Sequence, residues 1–169
     1  DVRHYPMDAI MRLAGYLYSE PTTWAYFTLP DFTYPGWYHW VDNKFDIDTF
    51  SNPIPYEGKV YILVNAESQS HAEYTIMGLQ QHPNAFTIGS QTAGADGNVS
   101  YITLPGPIKT YWTSLGVFYP DSATAQRVGV RIDSVVTPTI KGIRHGRDEV
   151  LEAALDCLSS SSAELNHPQ

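Results

Sequence analysis

Ser70 and Glu73 stand three residues apart in KVYILVNAESQSHAEYTIMGLQQ (59–81), directly after an apolar run and at the head of a helical stretch. A serine at a strand-to-helix turn has special chemistry open to it. The first N–H groups of the helix and the positive end of its dipole stabilise negative charge beside the hydroxyl, as a tetrahedral oxyanion requires. The same two residues also fit a plain capping box, with Ser70 as N-cap and Glu73 at its third position. Local chemistry leaves both readings open.

The elements around this turn follow from pattern. Val60, Tyr61, Ile62, Leu63 and Val64 lack alternation, which predicts a strand covered on both faces and therefore central. The helix begins near Ser70, with Tyr74, Met77 and Leu79 available for packing. His82, Pro83 and Asn84 break it, Ala85 to Gly89 reads as a second short strand, and Thr92 to Gly97 as a loop facing the site. Asn98 to Leu104 and Leu115 to Tyr119 read as strands flanking a turn at Pro105 to Pro107, with Tyr111 and Trp112 between them, and Arg127 to Val136 continues the sheet. A helix over Asp8 to Tyr18, capped by Asp8, opens the chain, and another over Asp148 to Leu158 closes it. Glu20 to Glu57 carries Trp24, Tyr26, Phe27, Tyr34, Trp37, Tyr38, Trp40 and Tyr56 in what reads as a long irregular insertion. Its aromatics either form a wall for substrate or staple a loop to the core.

SQSHAE followed by IGSQTAGADG (Ile88 to Gly97) resembles the S41 peptidases, the family of C-terminal processing and tricorn core proteases. DVR at the start, GVRIDSVV (Gly129 to Val136) and GIRHGRDEVLEAAL (Gly142 to Leu155) extend the resemblance over nearly the whole chain, most like the branch common in gut Bacteroidetes. The resemblance implies an α/β fold with a ClpP/crotonase-like core over residues 1–158, a polar tail at 159–169, and upstream domains of the same chain not included here. It implies a serine-type endopeptidase acting on peptide or protein substrates through an acyl-enzyme on Ser70, in an exported, periplasmic or cell-envelope protein. Glu73 takes the motif position at the helix N-terminus, and Ser68 falls off the pattern. The oxyanion donors carried over are the backbone N–H of His71 and one near Met7 or Asp8, although the glycines expected in that second turn are replaced by Tyr5, Pro6, Met7 and Asp8.

One position departs from the pattern. The processing proteases carry a general-base lysine where this chain has Ala95, and Lys109 does not match the motif. A serine hydroxyl is a weak nucleophile unless a base takes its proton. Three explanations stay open: a histidine from an upstream segment as in the tricorn-like branch, a local substitute in His4 or His71, or a catalytically inactive module that binds peptide and has lost the chemistry. Asp96 either orients a base or lines the site, or makes a tight turn beside Gly97. Asp133 is matched to an element that serves structure and positioning.

Composition excludes other classes. The chain of 169 residues with 13% aromatics is long enough for one core, and its net charge of −8 argues against nucleic acid or an anionic membrane as partner. TAGADGN lacks the lysine and hydroxyl of a phosphate loop, and the histidines show no metal-ligand spacing, so neither cofactor nor metal is expected. Cys157, alone, forms no internal disulfide and is expected to pack within its helix.

Overall fold

The computed structural model describes residues 1–4, 9–41, 45–47 and 54–164. In chain order its elements are α1 (Ala9–Leu17), β1 (Thr22–Pro30), β2 (Tyr38–Trp40), β3 (Phe45–Ile47), β4 (Val60–Val64), α2 (His71–Leu79), β5 (Ala85–Gly89), β6 (Val99–Leu104), β7 (Ile108–Thr113), β8 (Gly116–Phe118), β9 (Ser134–Val135), α3 (Ile140–Arg144) and α4 (Glu149–Glu164).

The apolar run forms β4, and its neighbours explain its composition. β4 pairs in parallel with β5, and β5 with β9. On the other side of β4, the Val2 N–H donates to the Leu63 carbonyl at 2.9 Å, so β4 is interior, as its pattern predicts. Successive side chains of a strand point to opposite faces. Ile62 and Val64 enter a core with Ile10, Ala14, Ile76 and Met77 from α1 and α2. Leu63 enters a second core with Ile88 of β5 and Val150 and Ala154 of α4, against which Cys157 also packs. Helices therefore cover both faces of the parallel sheet. α1 and α2 approach closely at Gly78, where a Cβ would lie 2.5 Å from Ile10 Cγ1.

Within the aromatic segment, Thr22–Pro30, Tyr38–Trp40 and Phe45–Ile47 form strands, where the sequence reads as an irregular insertion. β1 pairs antiparallel with β2, β3 and β8. Its buried Trp24 and Phe27 stand edge-on to Tyr74 of α2, at 5.4 and 6.0 Å between ring centroids. The sequence hides part of this because one partner strand, β8, lies about ninety residues downstream. A second difference is in the hairpin: the turn at 105–107 joins β6 directly to β7, so Tyr111 and Trp112 lie within a strand, both exposed. Of the segment 127–136, only β9 is strand. Helix α4 runs past Leu158 to Glu164, because Ser159 and Ser160 donate back to the carbonyls of Leu155 and Asp156 and so keep the helical turn. The expected Asp8 cap and residues 165–169 lie outside the described residues. No helix among the described residues is long and apolar enough to cross a membrane.

Arg3 joins the two ends of this layer. Its guanidinium donates to both carboxylate oxygens of Asp148, at 2.6 and 2.7 Å. These hydrogen bonds hold the Asp148 carboxyl down at about 2. Because the folded value is depressed, the stabilisation is present above the unfolded value near 4 and is lost as pH falls through about 2. Asp148 is 40% exposed, which screens the pair. Asp148→Asn is expected to cost about 1 kcal/mol at pH 7. Urea unfolding of both forms checks this, and a difference that persisted at pH 2 would contradict the assignment.

Candidate active site

Parallel β4 and β5 end on the same edge of the sheet, and that edge brings together two motifs twenty residues apart in sequence. Ligands of open α/β sheets bind at such carboxyl ends. From β4 the chain turns through Asn65 to Ser70 into α2, and from β5 it passes through Ser90 to Gly97.

Ser70 sits at the sharpest point of the first turn. Its backbone is at φ 51° and ψ −116°, a region that a residue with a Cβ rarely adopts and that costs on the order of 1–3 kcal/mol. Two hydrogen bonds fix it there. The Ser70 N–H donates to the Ala95 carbonyl at 3.1 Å and to Glu73 Oε2 at 3.3 Å. Its side chain is half-buried at the mouth of α2, in a capping-box relation with Glu73. Ser68 is the opposite case. It is fully buried, its hydroxyl donates to the Val2 carbonyl at 2.7 Å, and its carbonyl accepts from Ala93, so it ties strands together.

Glu73 does more than complete a capping box. Fully buried, it accepts from Thr92 Oγ1 at 2.6 Å, Gly94 N at 2.8 Å and Ala95 N at 3.0 Å as well as from Ser70. Thr92 Oγ1 in turn accepts from Val130 N at 2.9 Å. One carboxyl thus clamps the serine turn to the following loop. Gly94 takes φ +62°, and a Cβ there would stand 2.9 Å from the Arg127 carbonyl carbon, so the loop needs glycine at this point.

Asp96 is buried in the fold and is no exposed turn residue. It is inaccessible, and neither carboxyl oxygen has a hydrogen-bond partner among the described residues. Burial first, and then the neighbouring Glu73 carboxyl, close but without hydrogen-bond geometry, push Asp96 up to about 8. Ala95 places its carbonyl on Ser70 and a methyl group where the resemblance expects a lysine. Lys109 lies on the exposed β6–β7 hairpin. His4 and His71 are both exposed, His71 edge-on to Tyr74 at 5.9 Å. Met7 and Asp8, the second oxyanion candidates, lie outside the described residues. Asp133 accepts from the Thr87 N–H at 2.7 Å and holds β5, a structural role in keeping with its motif.

Two features escape a reading of the sequence. His39 Nε2 and Asp31 Oδ2 are 2.6 Å apart, but His39 alternates with Tyr38 and Trp40 on β2 and so points to the opposite face. Arg127 lies next to the loop at φ 67°, and its N–H donates to the Gly94 carbonyl at 2.7 Å. A separate cavity of about 500 Å³, between α4 and the opposite ends of β4 and β5 near Lys59 and Phe86, is remote from this edge. No cluster that could hold a metal ion occurs among the described residues.

The sequence model of peptidase family S41 matches residues 24–136. The chain belongs to peptidase family S41. The matched span begins inside β1 and ends just after β9, so it takes in the aromatic sheet, the Ser70 turn and the loop. A candidate peptidase from Parabacteroides merdae ATCC 43184 superposes with a TM-score of 0.78 at 20% identity, over 90% of this chain and 48% of that one. A candidate S41 protease from Bacteroides fragilis NCTC 9343 does so with a TM-score of 0.57 at 16% identity, over 92% and 42%. A lipoprotein from Streptococcus agalactiae gives 0.52 at 18% identity, over 80% and 47%. At these identities the likeness shows the S41 fold, and the chain spans about half the length of the Parabacteroides structure. No match was found among curated proteins.

Proposed function

We propose that the chain forms the core of a serine-type endopeptidase in which Ser70 attacks a peptide carbonyl. The observation that supports this most is the strained strand-to-helix turn that presents the Ser70 hydroxyl while an otherwise structural network holds its backbone. Attack forms the Ser70 Oγ–carbonyl bond, and collapse of the tetrahedral intermediate expels the amine, leaving an acyl-enzyme that water hydrolyses. The His71 N–H, first in α2, and one from the Met7–Asp8 turn would receive the oxyanion. The base that takes the hydroxyl proton is not Ala95, which leaves a histidine of an upstream segment, His4 or His71 as its source. The core, residues 1–158, is of the ClpP/crotonase-like type, acts on peptide or protein substrates, and works in an exported or envelope-associated protein, with 159–169 as a tail.

Fluorophosphonate treatment of the full-length protein, followed by peptide mass mapping, tests this reading. One adduct on Ser70 is expected. Absence of an adduct on the folded protein would remove the peptidase reading and favour an inactive peptide-binding module, the alternative that the methyl side chain of Ala95 supports.

A further inference from the structure

A cavity of about 460 Å³ opens between the β1–β8 pair and the end of β7. Tyr38 and Trp40, on one face of β2, line it together with Phe118 of β8, and the Trp40 and Phe118 ring centroids are 4.8 Å apart. Thr113 and Ser114 add hydroxyls, and among the described residues Arg127 is the only charged one of the lining.

Arg127 differs from three of the other five arginines in how it is held. Arg3, Arg131 and Arg147 are each ion-paired. Arg127 has no ion-pair or hydrogen-bond partner for its guanidinium among the described residues, is exposed, and occupies a left-handed backbone conformation that is costly for a residue with a side chain. The turn that carries it is clamped to the loop. Gly129 N donates to the Ala125 carbonyl at 2.7 Å, Gln126 Nε2 to the Asp96 carbonyl at 3.3 Å, and Arg127 N to Gly94. Gly94 adjoins Ala95, whose carbonyl holds Ser70, so a continuous set of contacts joins cavity and serine.

We propose that this cavity is a subsite for a peptide carboxylate, in which Arg127 binds the carboxylate through its planar fork and Trp40 and Phe118 pack against the adjoining apolar group. The proposal rests on the peptidase reading for its substrate class. A guanidinium presents paired donors that match a carboxylate, and the aromatic lining offers apolar surface to the group beside it. In a chain of net charge −8, a lining with one cation and no acidic residue among the described residues selects an anion. The carboxylate can come from a chain terminus or from an Asp or Glu side chain, and both present the same group.

Binding by the full chain carrying Ser70→Ala, measured by calorimetry at low salt, separates these sources without requiring catalysis. The probes are N-acetyl-Ala-Ala-Phe as acid and as amide, and N-acetyl-Ala-Glu-Ala amide beside its Gln counterpart. The acid of at least one pair is expected to bind about tenfold or more tightly than its neutral partner. A difference in the first pair identifies a terminal carboxylate, and one in the second a side chain. Arg127→Gln should abolish the difference, Arg127→Lys should retain part of it, and Trp40→Ala should weaken both members of the preferred pair. Equal binding within both pairs, no binding of any probe, or a difference that survives Arg127→Gln overturns the proposal. Discrimination without fluorophosphonate labelling of the unsubstituted protein would leave the subsite standing and remove the peptidase reading, and labelling without discrimination would do the reverse.

Discussion

Glu73→Ala is expected to destabilise the fold by about 3–5 kcal/mol and to slow fluorophosphonate labelling of Ser70 at least about 100-fold. The substitution strips acceptors from four donors at once, the Thr92 hydroxyl and the N–H groups of Ser70, Gly94 and Ala95. Each buried donor left unpaired costs about 1–3 kcal/mol, and the serine turn loses what holds it in a strained geometry. A domain of marginal stability could fail to fold with that loss, so Glu73→Gln serves beside it. A glutamine oxygen can replace only one carboxylate oxygen. Its NH₂ group then faces N–H donors in either orientation, except at Thr92. About 2 kcal/mol should be lost, with labelling still slowed. Denaturant unfolding and labelling rates read the two effects. If Glu73→Gln labels at the unsubstituted rate, the clamp does not position Ser70.

The second large effect concerns pH. Burial and the nearby Glu73 raise Asp96 to about 8, so between the unfolded value near 4 and about 8 the folded protein holds one proton more than the unfolded chain. For a raised value the stabilisation is complete below the unfolded value and is lost as pH rises through the folded one. Stability should therefore decline across this window, with a slope of at most about 1.4 kcal/mol per pH unit, and level off above it. Asp96→Asn keeps the shape, removes the titration and should flatten the curve. The variant is expected to be the more stable form at pH 8 and above. Urea midpoints between pH 5 and 9 decide this, and parallel curves for the two proteins would refute the assignment.

Local signals in the chain were readable in proportion to how local their causes were. The run at 60–64 announced a strand with two covered faces because both cores lie directly against it. The serine turn was visible because strand, turn and helix are contiguous. The role of Glu73 was only partly visible, since the capping relation within 70–73 contributes its longest hydrogen bond and the three shorter ones come from 92–95. Asp96 beside a glycine has the composition of an exposed turn, and only packing across the sheet edge shows it to be buried. The aromatic sheet was missed in part for the same reason, because one partner of β1, β8, lies about ninety residues downstream. The hairpin was misdivided because Tyr111 and Trp112, exposed on a two-stranded ribbon, carry no burial pattern to mark their strand.

A clamp that reaches from α2 to the next loop also limits what can be transplanted. The stretch 59–81 looks like a self-contained cassette, but its working shape is imposed by residues 92–95 and, through Thr92, by Val130. Copied alone onto another parallel sheet, it would relax to an ordinary capped helix. Any portable unit must include at least Lys59 through Val130, and recombination breakpoints between homologous proteins should be damaging within that interval.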